Sequence, residues 1–139
     1  MELTQILIIT GCLILGLLGL IHLIYTLATN KFHARDPAVT AAMQQSAPII
    51  TGQTTVWRAW VGFNVSHSVG VLLLPLVYVP LALNHMTLLA NSAWFAGLPV
   101  VLAAAYAMMA KQYWFKVPLW GSLLALLCFL AAWLLLTWH

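Results

Sequence analysis

Charge is what this sequence has least of. Of its 139 residues only 5 % are Asp, Glu, Lys or Arg, against about a quarter in a water-soluble domain. Acid is scarcest, with Glu2 and Asp36 the only carboxylate side chains. A carboxylate-bridged di-iron centre needs several inward-facing acids, and a Ser-His pair without a buried orienting acid lacks the third member of a triad. Ion-coupled transport usually places an acid inside a span or breaks a helix there, and no inverted repeat is visible. An enzyme or an ion-coupled carrier is therefore not the expectation. The five basic residues are spread over two loops and form no patch for nucleic acid. Cysteine is equally sparse. Cys12 and Cys128 sit singly inside apolar runs with no C-x-x-C or metal-ligand spacing, so both read as packing residues. The sequence also lacks tandem repeats, low-complexity segments and any linker, and a chain of this length is expected to form one domain spanning residues 1–139. The N-terminus has neither a basic n-region nor a small-residue cleavage site, so its apolar run is expected to be retained as a span.

What is present is apolar surface, at 64 % of residues. A soluble body this small cannot hide so much of it, and lipid must cover the remainder. Four stretches approach or exceed the roughly 20 residues needed to cross about 30 Å of hydrocarbon: Leu3 to Leu27, Val56 to Leu83, Ser92 to Ala110 and Val117 to Trp138. A transmembrane barrel would need short segments of alternating polarity, which Leu123-Leu124-Ala125-Leu126-Leu127 does not show. The fold class is thus all-α, an integral membrane four-helix bundle. Pro75, Pro80 and Pro99 each remove a backbone donor and are expected to kink or end a helix locally, while Pro118 falls in a first turn where proline is tolerated.

The basic residues give an orientation. Lys31, Arg35 and Arg58 lie in or beside the first loop, Lys111 and Lys116 in the third, and the connection from Asn84 to Asn91 has none. The positive-inside tendency puts the basic side in the cytoplasm and both termini, Met1 and His139, on the non-cytoplasmic side. Trp57, Trp60, Trp114 and Trp120 then belong to the inner interfacial belt, and Trp94, Trp133 and Trp138 to the outer one. Within the first loop, Asp36-Pro37 is an N-cap followed by proline at the first helical position, predicting a short helix from Pro37 to about Gln45, broken by Ser46-Ala47-Pro48. Val39 and Met43 share one of its faces and Thr40, Gln44 and Gln45 are polar, a pattern suited to lying in the headgroup plane. Thr54 or Thr55 is placed to cap the second span.

Polar groups inside hydrocarbon cost several kcal/mol unless paired, so the string from Trp57 to Gly70 is the most informative part of the chain. Helical spacing puts Trp57, Trp60, Asn64, His67, Ser68 and Val71 on one stripe. Gly62, Ser66 and Gly70 fall on the opposite side at i, i+4, i+8, a small-xxx-small seam suited to close helix packing within the bundle or between protomers. In the first span, His22 lies about 10 Å from the end nearest the first loop and shares a face with Tyr25 and Thr26. Asn64 is at a similar depth and His67 about one turn deeper, which favours a His22 to Asn64 hydrogen bond over a bond between imidazoles. One expectation is therefore a structural interhelical clamp. The other is a binding pocket built from His22, Tyr25, Trp60, Asn64, His67 and Ser68 for a lipid headgroup or a quinone, or a haem b iron held by His22 and His67. No other metal site is expected.

The set Gly62-x-Asn64-x-Ser66-His67-x-x-Gly70, with His22-x-x-Tyr25 and Asp36-Pro37, resembles a family of small bacterial four-span inner-membrane proteins without an established function, over the whole chain. The resemblance implies a bacterial inner (cytoplasmic) membrane location and supplies no catalytic residues. Two functional classes follow from the residues. One is an accessory or stabilising subunit of a membrane complex, or a homo-oligomer, using the seam against a partner. The other is a lipid-, quinone- or haem-binding protein using the polar stripe.

Overall fold

In the computed structural model of the chain, residues 2–137 are described. They form six helices: α1 (Leu3–Ala28), α2 (Pro37–Gln45), α3 (Val56–Asn84), α4 (Met86–Asn91), α5 (Ala93–Tyr113) and α6 (Lys116–Thr137). Four of these, α1, α3, α5 and α6, are long and apolar enough to cross a membrane, and the protein is a multi-pass helical membrane protein. At about 1.5 Å per residue they span roughly 31 to 43 Å. Their limits follow the sequence expectation to within one to three residues. Trp138, read as an outer-belt residue, and the two termini used for the orientation lie outside the described residues.

Two compact units are formed, one by residues up to Leu18 together with those from Val71 onward, the other by Gly19–Gly70. The first unit holds the hydrophobic core: Ile8, Cys12 and Leu15 of α1, Val71, Leu74, Tyr78 and Ala82 of α3, Leu89 of α4, Ala103 of α5, and Ala125, Phe129 and Ala132 of α6. Small residues let helix backbones approach here. A methyl group added at Gly11 would sit 2.7 Å from the Phe129 ring, and one at Gly16 2.9 Å from Pro75. Cys12 is fully buried in this core, a free thiol acting as a packing residue.

The prolines do not break their helices. Pro75 and Pro80 lie inside the continuous α3 and Pro99 inside α5. Pro99 deprives the carbonyl of Phe95, four residues back, of its helical donor. The Tyr78 hydroxyl donates to that carbonyl instead, at 3.0 Å. At the end of α3 the Gln5 side-chain amide donates to the Ala82 carbonyl at 3.0 Å, occupying one of the acceptors a helix C-terminus leaves open.

The second connection, Asn84 to Asn91, carries structure that the sequence pattern does not predict. It contains α4, which packs against α5 and α6 and buries Leu89 in the core. Six residues are too few for helical periodicity to emerge from the sequence. Ser92 then starts α5, its hydroxyl accepting from the Phe95 amide at 3.4 Å.

The second unit is the C-terminal part of α1, the first loop with α2, and the N-terminal part of α3. Asp36 caps α2, its carboxylate accepting from the Ala38 amide at 2.9 Å, with Pro37 leading the helix, and Ser46 ends it. Thr55 caps α3 by accepting from the Arg58 amide at 3.2 Å. On α2 the polar face is not wholly outward: Thr40 is buried because its hydroxyl accepts the Ala34 amide, and Val39 is exposed. The loop is drawn back onto the helices by two ring contacts, Phe32 against His22 and His33 against Trp57, each with centroids 4.6 Å apart.

Candidate functional site

The polar residues of the second unit converge on Asn64. Its side chain is almost fully buried, and a buried amide must place both its donor and its acceptor. Asn64 Nδ2 donates to the Trp60 carbonyl one turn earlier at 2.8 Å. That leaves Oδ1 as the acceptor, and it lies 2.9 Å from His22 Nε2, so His22 carries a hydrogen on Nε2 and donates it. The depth match between the two spans thus produces the bond it predicts. Ser68, fully buried, donates its hydroxyl to the Asn64 carbonyl at 3.1 Å, and Thr26 donates to the His22 carbonyl at 2.8 Å. Among the described residues no buried side-chain nitrogen or oxygen lacks a hydrogen-bond partner.

His67 joins the cluster through its ring. It meets the His22 imidazole edge to face with centroids 5.1 Å apart, and Phe32 covers His22 from another direction. Of the residues expected to line a ligand pocket, His22, Asn64, His67 and Ser68 are brought together. Trp60 takes part through its carbonyl, with its indole exposed, and Tyr25 is 41 % exposed. Phe32 is the member that sequence reasoning missed. It lies in the loop after α1, where helical spacing has no predictive reach, and its nearness to a polar span is the only signal that could have pointed to it.

A shared haem iron would require the bond between His22 and Asn64 to open. Bis-histidine ligation needs one nitrogen of each ring directed at the metal with the iron between them, whereas here the rings touch and His22 Nε2 is engaged by Asn64. Among the described residues no group of three or more His, Cys, Asp or Glu is arranged to hold a metal ion. In the first unit a cavity of about 10 Å³ lies among Ile8, Tyr78, Leu89, Phe95, Phe129 and Trp133. It has room for about one water molecule, far below the roughly 300 Å³ of a small-ligand site.

The seam has the opposite character. Gly62 has nothing within 4 Å of where a Cβ would stand, and Ser66 and Gly70 are exposed. The Ser66 hydroxyl donates to the Phe63 carbonyl at 2.8 Å, so the seam is also polar-satisfied. Beside it, Phe63 is 77 % exposed. The close approaches at glycines in the first unit are those of Gly11, Gly16 and Gly121. Comparison with models of protein families, with curated proteins and with solved structures gave no match.

Proposed function

We propose that this protein is an accessory or stabilising subunit of a membrane assembly and that it docks through the Gly62, Ser66, Gly70 seam of α3. The contrast between the two sides of α3 carries the reading. One side ties Asn64 and Ser68 into a hydrogen-bond set with His22, while the other offers the exposed small residues Gly62, Ser66 and Gly70, with open space at Gly62. Without a hydrophobic driving force between helices in lipid, close backbone approach over small residues is a main source of helix association. The clamp then serves to hold the presenting part of α3 in register. Lys31, Arg35, Arg58, Lys111 and Lys116 flank the end of α1, the start of α3, the end of α5 and the start of α6. That distribution supports a cytoplasmic basic side, α2 in the headgroup plane there, and both termini opposite. The resemblance to small bacterial four-span proteins supports the bacterial inner membrane as the location.

Affinity purification in mild detergent tests the docking role. Gly62→Leu fills open space and leaves the fold intact, so loss of co-purifying subunits in Gly62→Leu and their retention in His67→Ala supports docking through the seam. Retention in both variants overturns it.

A second reading has its own observation, the His22 and His67 rings in contact beneath Phe32. Such a group of imidazoles and an aromatic ring suits the polar end of a lipid or quinone, or, after the Asn64 bond opens, haem b. Oxidised and dithionite-reduced visible spectra, with the mass of co-eluting small molecules, test it. A Soret band or a bound quinone lost in His67→Ala supports this reading, and a colourless, ligand-free protein removes it.

A further inference from the structure

The two most exposed large apolar side chains of the second unit are not on a helix. Ile49 and Ile50 have 108 % and 91 % of their reference surface open. They are the two central residues of a turn closed by the Thr51 amide donating to the Pro48 carbonyl at 3.2 Å. Such positions ordinarily take Gly, Asn, Asp, Ser or Pro, and two adjacent, fully exposed isoleucines there gain free energy from an apolar phase that receives them.

The turn is tied to the start of a membrane-spanning helix. The Val56 amide, at the first residue of α3, donates to the Ser46 carbonyl at 2.8 Å, tying off the segment that carries the turn. Trp57 follows at once, packed by His33, and Phe32 folds back onto His22 inside α1. No charged residue occurs from Pro37 to Trp57, although Asp36 and Arg58 bound that stretch. Val39 of α2 is exposed as well. An uncharged segment pinned to the ends of two spans, next to an interfacial tryptophan, has the bilayer surface as its nearest apolar phase.

We propose that the turn from Pro48 to Thr51 is a membrane anchor, with Ile49 and Ile50 inserted at the headgroup–acyl boundary of the leaflet where α1 ends and α3 begins. The anchor fixes the first loop against the bilayer and so limits tilting of α1 and α3 as a pair. It shares with the proposed function only the four-span arrangement and does not depend on the seam.

The test is spin labelling of the full chain in phosphatidylcholine–phosphatidylglycerol vesicles. A Cys128→Ala background is used, since Cys12 is sealed in the core. Single cysteines replace Ile49, Ile50 and, as a mid-span reference, the exposed Leu13. Accessibility to oxygen is compared with that to a water-soluble nickel chelate. Labels at 49 and 50 should favour oxygen over nickel, though less strongly than the label at 13. Nickel-accessible labels at 49 and 50 place the turn in water, and labels closed to both reagents place it against protein; either result overturns the anchor while leaving the docking reading intact. A label at 13 that reads as water removes the four-span arrangement and both proposals with it. Cysteine at fully exposed turn positions does not disturb packing, and an unchanged helical circular dichroism spectrum checks this.

Discussion

At the scale of single residues, two polar contacts are made where lipid offers no alternative partner. The Phe95 carbonyl loses its helical donor to Pro99 and takes the Tyr78 hydroxyl instead. Tyr78→Phe should therefore lower stability in detergent by about 1–3 kcal/mol, the usual cost of stranding a buried acceptor. In a Pro99→Ala background, where the amide returns, the same change should cost markedly less. A double-mutant cycle by thermal or denaturant unfolding reads the difference. The clamp between His22 and Asn64 is smaller in effect, and its coupling in a similar cycle should be about 0.6 kcal/mol and below about 2, in the range of polar pairs between membrane helices. The clamp was legible in the sequence because both residues belong to regular helices whose depth can be counted. The Tyr78 bond was half legible: counting back four residues from Pro99 names the orphaned acceptor, but nothing local names its donor. Phe32 was not legible, since a loop residue's neighbours depend on how the chain returns.

At the scale of elements, the long helices follow from apolar length alone, and α2 from its Asp-Pro start. Asp36→Ala should destabilise α2 by about 1 kcal/mol, seen as faster amide exchange over residues 37–45 with the spans unaffected. What the sequence does not reveal is which small residues are packed. Gly11 and Gly62 look alike in a one-dimensional pattern, yet Gly11 faces the buried Phe129 ring and Gly62 faces no neighbour. Gly11→Ala should cost about 1–3 kcal/mol through overpacking. Gly62→Ala should leave the melting temperature at or above that of the wild type, since alanine is the better helix former. The helix α4 escaped for a related reason: its role is set by the burial of Leu89, a tertiary fact.

At the scale of the whole molecule, α3 divides its small and polar residues: Asn64 and Ser68 are buried and hydrogen-bonded, while Gly62, Ser66 and Gly70 are exposed. That division is the reason for reading a subunit that joins an assembly rather than a carrier of chemistry. Its direct test is photo-crosslinking in native membranes from position 63, where the exposed Phe63 beside the seam is replaced by p-benzoylphenylalanine, with the exposed Leu127 of α6 as the comparison site. A discrete protein adduct from position 63, absent from position 127 and lost on adding Gly62→Leu, is the predicted result. Lipid adducts alone from both positions would contradict the account.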